Sequence, residues 1–244
     1  MEKIINANPR YQNQQKDGKK PLDIVVKTLI VKTLFFIKDS WSLLYYNYFT
    51  GDKNFTFENK KLKYFTARYN TTWSNERRVE VAIAADYLKE FANKRILEVG
   101  NVMSHYLDVK YDIVDKFEKA ANVINEDILT YSPAEKYDLI ISISTIEHVG
   151  WDDTEQDPQK IINVLNKLNN LKQEGGTLVV TAPLGYNPNL DNMLKEKMLP
   201  FKEVHYLKRT SAAGTWIEFK PDFNEEFIYG RPYPCANTIF IGIN

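Results

Sequence analysis

The sequence predicts an α/β domain on a seven-stranded, mostly parallel sheet with an antiparallel edge, preceded by a helical N-terminal extension. Three observations predict it. From residue 95 onward, short apolar runs alternate with turns and helical patterns, the rhythm of parallel strands covered on both faces. Two of the early runs carry acids at or near their ends, Glu98 and Asp115, 17 residues apart. The tail then changes character: three strand-like runs follow with no helix between them, which suits antiparallel additions at an edge.

Taken in order, residues 1–20 are rich in Asn, Gln and Lys and read as a flexible lead-in. Residues 24–37 are strongly apolar, broken only by Lys27 and Lys32. A membrane span needs about 20 apolar residues, so this run is too short and too charged for one. It reads as a helix packed on the domain. The alternative is a helix lying in a membrane interface beside Trp41, Tyr45, Tyr46 and Tyr48, with a peripheral contact through residues 22–49. Residues 55–70 are rich in aromatics and lysines. A helix should start near residue 74, capped by Ser74 or Asn75, because Val79, Ile83, Tyr87 and Leu88 recur at helical spacing. Residues 1–73 are therefore the lead-in and cap, and 74–244 the α/β domain. Strands are expected at 95–99, 112–115, 139–144, 177–182, 205–208, 215–219 and 238–242. Helices are expected at 116–121 (short) and 158–171, the second stopped by the glycines of Glu174-Gly175-Gly176.

Composition bounds the function. Hydrophobic residues make up 43 % of the 244, enough for a substantial core. Lys+Arg and Asp+Glu are both 32, so no global charge draws in nucleic acid, and no such partner is expected. Cys235 is the only cysteine, which excludes an intrachain disulfide. Three histidines and one cysteine give no structural zinc pattern. The polar first 20 residues lack the apolar segment of a signal peptide, so a cytoplasmic location is expected.

Several residues could carry chemistry. At Glu98-Val99-Gly100 the glycine lets backbone approach a ligand while the acid accepts hydrogen bonds, although a plain tight turn reads equally well. Asp115 ends its strand where an acid can accept both hydroxyls of an adenine ribose. Asp127 can accept an adenine amino group or cap a helix. Glu147-His148 follows strand 139–144, and histidine is the side chain suited to act as a base near neutral pH. His148 is the first candidate and His105 the second, with His205 read as structural. The acidic run Asp152, Asp153, Glu155 and Asp157 reads as a solvated turn, with a divalent ion or cationic substrate as the alternative. Arg77, near Tyr69, Trp73 and Asn75, offers a forked donor to a carboxylate. Tyr186-Asn187-Pro188 shapes an acceptor pocket or a proline turn.

In order, these motifs are Glu98-x-Gly100, Asp115, Asp127-Ile128, Tyr137-Asp-Leu-Ile…Glu147-His148 and Gly175-Gly-Thr-Leu-Val-Val-Thr-Ala-Pro183. Over residues 74–185 they resemble the class I S-adenosylmethionine-dependent methyltransferases, in particular the small-molecule branch with Glu-His after its fourth strand. The resemblance implies a Rossmann-like fold and S-adenosyl-L-methionine as cofactor. It places Glu98 and Gly100 at the methionine part, Asp115 at the ribose, Asp127 and Ile128 beside the adenine, and Ser144 and Thr145 on the pocket floor. Arg77 would then cover the methionine carboxylate. One departure stands out: the family loop is usually Glu-x-Gly-x-Gly-x-Gly, and here Val102 and Ser104 occupy its second and third glycine positions. Asn101, Ser104 and His105 could supply side-chain hydrogen bonds there instead. The implied reaction is methyl transfer to an oxygen or nitrogen of a small-molecule or glycan-like acceptor, with His148 and Glu147 at the catalytic centre. One alternative is a non-catalytic binding or scaffold protein of the same fold. A nicotinamide-dependent oxidoreductase is disfavoured, because no Gly-x-Gly-x-x-Gly run follows the first strand.

Overall fold

A computed structural model describes residues 53–244 continuously, together with residues 30, 31, 33, 37, 40, 41 and 44, all helical. The lead-in, most of the expected helix at 24–37 and Tyr45, Tyr46 and Tyr48 of the interfacial alternative lie outside the described residues. Among the described residues no helix is long and apolar enough to cross a membrane.

The described fold opens with an antiparallel hairpin of β1 (Asn54–Phe57) and β2 (Lys60–Lys63). Both residues of its turn, Glu58 and Asn59, have positive φ (49° and 60°), the backbone twist that a two-residue hairpin favours. Aromatic and lysine content gives no strand here, yet the alternation of Phe55 and Phe57 with Thr56 carries the period-2 signal. Both phenylalanines are buried. Helix α1 (Arg77–Glu90) follows with Glu76 at its N-cap, one residue beyond the expected Ser74 or Asn75, although Asn75 Oδ1 still accepts the Arg77 N–H at 3.0 Å.

All seven expected strands form: β3 (Ile96–Val99), β4 (Asp112–Val114), β5 (Tyr137–Ile143), β6 (Lys172–Pro183), β7 (Glu203–Arg209), β8 (Trp216–Glu218) and β9 (Thr238–Ile243). Their order is β4-β3-β5-β6-β9-β7-β8. Parallel pairing joins β4, β3, β5 and β6, and antiparallel pairing joins the rest. The tail does more than edge the sheet, since β9 enters between β6 and β7. Strand β5 and the second half of β6 sit centrally and are buried, which is why they read as near-continuous apolar runs.

Each face of the sheet carries its own core. Ile140, Leu178, Val180 and Phe240 pack with α2 (Gln159–Leu171) and α3 (Pro188–Lys195), whereas Leu139, Ile141, Val179 and Ile241 pack with α1 and the hairpin. Ile161, Val164, Leu165 and Leu168 place the buried stripe of α2 at helical spacing. Each such side chain contributes about 1.5–3 kcal/mol relative to exposure.

Two local expectations are corrected. Residues 116–121 form no helix: Asn125 Nδ2 donates to the carbonyls of Asp115 and Lys116 at 2.9 Å each, a side-chain tie that competes with helical bonding. No glycine ends α2 either. The chain is already extended at Lys172, and Gly175 and Gly176 lie inside β6 where the register against β5 shifts. A Cβ on Gly176 would come within 2.9 Å of the Asp138 carbonyl, so glycine there serves close strand approach.

Candidate functional site at the strand carboxyl ends

After β3 the chain goes to β4 on one side, and β5 then pairs on the other, which opens a crevice beyond the carboxyl ends of these strands. A cavity of about 620 Å³ occupies it. Gly100 and Asn101 line it from the β3 turn, Asp115 from the end of β4, Asp127 and Ile128 from the next loop, and Ser144, Thr145 and His148 from beyond β5. Among the candidate residues off its wall are Glu98, Arg77, Glu147, Ser104 and His105.

Glu98 is fully buried and faces its own loop. Its Oε1 accepts the N–H groups of Val102 (2.8 Å) and Met103 (2.7 Å), and its Oε2 accepts the Tyr111 hydroxyl (3.1 Å). Burial pushes this carboxyl up, opposed by those donors. Glu98 thereby shapes the loop that borders the cavity. Gly100 has φ +86°, and a Cβ there would lie 2.1 Å from Thr145 Oγ1, so both conformation and space demand glycine. Val102, at φ −112°, keeps to ordinary backbone, and the chain runs on into a 3₁₀ turn at Met103–His105. Side chains reinforce this turn: Ser104 Oγ donates to Asn101 Oδ1, and Asn101 Nδ2 donates to Glu118 Oε1 at 2.8 Å.

Asp115 ties two loops together. Its Oδ2 accepts the Asn101 N–H at 3.1 Å, while its Oδ1 accepts those of Phe117 (2.8 Å) and Glu118 (2.7 Å). Asp127 accepts the Leu129 N–H and lies 3.1 Å from Lys116 Nζ. Burial alone would raise its carboxyl, but those two donors outweigh it and hold the pKa below the ordinary value.

Ser144 takes a strained φ of +37° directly after β5. Its hydroxyl turns from the cavity to the buried Glu80, at 2.8 and 3.0 Å from the two carboxylate oxygens. Thr181 donates to Glu80 at 2.8 Å, and Arg77 Nη1 pairs with it at 2.5 Å. Arg77 is thus engaged by a carboxylate of its own helix and is not among the residues lining the cavity.

His148 lines the cavity with its side chain 47 % exposed. Its Nδ1 lies 2.6 Å from Asp152 Oδ2, an oxygen that also accepts the Tyr186 hydroxyl at 2.9 Å. This arrangement makes Nδ1 the protonated nitrogen and leaves Nε2 as the basic one. Tyr186 packs edge-on against the imidazole at 4.9 Å. Glu147 is buried, with Oε1 3.7 Å from His148 Nε2 and Oε2 without a hydrogen bond. Burial, reinforced by the nearby Glu80, pushes its carboxyl well above the usual range. His105 stacks on Tyr69 at 4.7 Å beside Glu118 and does not reach the cavity wall.

Asn187 caps α3 through Asn189 N–H (3.0 Å) and donates to the Glu147 carbonyl at 2.8 Å, so the proline turn and the site are one piece. The sequence reading misses Glu80, Phe117, Glu118 and the orienting role of Asp152. For Asp152 a signal existed, because His148 and Asp152 share i,i+4 spacing.

No family model and no curated protein matches this chain. Solved structures with a similar trace include N-methyltransferase NodS from Bradyrhizobium japonicum WM9 in complex with S-adenosyl-L-homocysteine. There identity is 15 %, coverage is 69 % of this chain and 85 % of that one, and the TM-score is 0.44. A SAM-dependent methyltransferase from Archaeoglobus fulgidus gives 15 % identity, 72 % and 96 % coverage, and a TM-score of 0.44. A possible histamine N-methyltransferase from Thermotoga maritima gives 13 %, 62 % and 82 %, and 0.37. At such values the likeness carries no weight of its own, and function rests on the geometry of the cavity.

Proposed function

We propose that this chain transfers a methyl group from S-adenosyl-L-methionine to an oxygen or nitrogen of a small-molecule or glycan-like acceptor. The cavity carries the reading. Its volume is in the range that ligand sites occupy, and it brings a glycine turn, a strand-end carboxylate and an acidic-apolar rim into one enclosure at the strand carboxyl ends.

The residues present fit the cofactor. Gly100 gives the backbone close approach that a side chain would block. A carboxylate offers about four lone-pair positions; Asp115 uses three on backbone donors, leaving Oδ2 able to accept one ribose hydroxyl. Glu118 adds a second carboxylate on the same wall. Ile128, Ile146 and Val149 supply apolar surface for a purine, Phe117 stands exposed beside them, and Asp127 can accept an exocyclic amine. When bound, the cofactor supplies a methyl group on a positively charged sulfur. The chain supplies the rest. His148 Nε2 takes the acceptor's proton, Asp152 holds the ring through Nδ1, and Tyr186 fixes Asp152.

Titration calorimetry with S-adenosylhomocysteine tests this reading. Stoichiometric binding that Gly100→Ala abolishes in a folded protein is the expected result. No binding would favour the non-catalytic alternative, and binding of NAD instead would favour the oxidoreductase.

A further inference from the structure

At the β7–β8 edge of the sheet, His205 is surrounded by carboxylates from three elements. Its Nδ1 lies 2.8 Å from Glu218 Oε1 on β8. Its Nε2 lies 3.5 Å from Glu58 Oε1 in the hairpin turn and 3.5 Å from Glu203 Oε2 on β7. We propose that Glu58, Glu203 and His205 form a zinc-type metal site that pins the β1–β2 hairpin to the sheet, with Glu218 as its positioning residue.

Geometry carries the proposal. The three ligand atoms lie within 4.8 Å of one another. Zinc holds nitrogen and carboxylate oxygen at about 2.0–2.2 Å, so neighbouring ligands on a tetrahedron are about 3.3–3.6 Å apart. The two 3.5 Å spacings from Nε2 match that edge. Nε2 is shut off from solvent and makes no hydrogen bond. A protonated Nε2 serving only as an ion-pair partner would swing toward one carboxylate to a distance of about 2.8 Å. Standing equally far from two acceptors is how a ligand sits beside others sharing one centre.

The surroundings have the form of a metal site's outer shell. Glu218 on Nδ1 fixes the tautomer that leaves Nε2 with its lone pair, the usual carboxylate–histidine–metal relay. The Tyr87 hydroxyl donates to Glu58 Oε2 at 3.3 Å, leaving Oε1 turned toward His205. Phe57 packs edge-on against the imidazole at 5.3 Å and screens it. Three carboxylates converge on one imidazole, so even a protonated ring leaves negative charge uncompensated among them, which a divalent cation would neutralise.

The test is titration of chelator-treated full-length protein with Zn²⁺ alone, by calorimetry and by thermal melting. One Zn²⁺ per chain is expected, with a higher melting temperature. His205→Ala and Glu58→Gln should lose both effects, and Glu218→Gln should weaken affinity about 10–100-fold, as loss of such a partner does. Should His205→Ala fail to fold, Glu203→Gln, which alters an exposed side chain, carries the same expectation. Absence of stoichiometric binding by the folded wild-type protein would overturn the proposal, as would undiminished binding in the folded ligand variants. Methyl transfer enters none of these readouts, so the test is independent of the proposed activity.

Discussion

His148 Nδ1 and Asp152 Oδ2 stand 2.6 Å apart, and the Tyr186 hydroxyl meets that same oxygen at 2.9 Å. One carboxylate therefore sets both the tautomer of the imidazole and the position of the ring beside it. His148→Ala should cut turnover by about 10²–10⁴, the range of a general base. Asp152→Asn should also lower turnover, since an amide can turn its nitrogen toward Nδ1 and then no longer holds the ring in place. The double variant should be little worse than His148→Ala alone, because the two act as one unit. Rates normalised to folded protein, with an acceptor in hand, check this. Near-normal turnover in folded His148→Ala would remove the base assignment.

Asp115 joins the loop after β3 to the turn after β4, so its two oxygens can be tested apart. In Asp115→Asn, Oδ1 can still accept from Phe117 and Glu118, but an amide nitrogen would face the Asn101 N–H, donor against donor. Stability should fall modestly while S-adenosylhomocysteine affinity falls by about 1.5–3 kcal/mol, about tenfold or more in dissociation constant. Asp115→Ala should lose both, since it strands three backbone donors. Calorimetry beside urea unfolding separates the effects, and unchanged affinity in a folded variant would contradict the adenosine assignment.

Glu80 holds α1 to the ends of β5 and β6. It accepts Ser144 and Thr181 and pairs with Arg77, all in a fully buried position. Glu80→Ala leaves Arg77 without that partner beside two orphaned hydroxyls, and should cost about 3–5 kcal/mol. Glu80→Gln keeps a carbonyl acceptor and should cost less. Urea unfolding measures both. A loss below about 1 kcal/mol for Glu80→Ala would mean that the network contributes little.

The sheet was legible because its strands satisfy local and global demands together. Tyr137–Ile143 and the second half of β6 are buried on both faces, so apolar runs bounded by turns mark them unambiguously. The site was legible only in outline. Gly100, Asp115 and Ser144 stand out by position just after strands, Asp127 lies in the loop beyond β4, and all four line one cavity. For Glu98 and Arg77 residue type does not reveal which way the side chain turns: one bonds its own loop, the other its own helix. Glu80 was hidden because its partners Ser144 and Thr181 are 64 and 101 residues away. The short helix at 116–121 failed for a similar reason, since Asn125 supplies the competing bonds from beyond the segment.

Asp191 provides a pH test that needs no ligand. From α3 it accepts the Gly185 N–H at 2.8 Å through Oδ2, while Oδ1 is buried without a hydrogen bond. Burial pushes its carboxyl from 3.8 to about 6. The folded state therefore holds this proton more tightly than the unfolded chain does. Its contribution is fully present below about pH 4 and is lost as pH rises through about 6. The shift bounds the effect at about 3 kcal/mol, and partial contact with solvent brings the expected value nearer 1–2 kcal/mol. Glu76 and Glu147 are also raised by burial and tilt the wild-type curve the same way, so only the difference between two proteins is diagnostic. Asp191→Asn cannot ionise. Its stability relative to wild type should climb between about pH 4 and 7 by that amount, whatever constant offset the amide introduces. Urea unfolding of both proteins across this range checks it, and a difference independent of pH would show that Asp191 keeps an ordinary carboxyl in the folded protein.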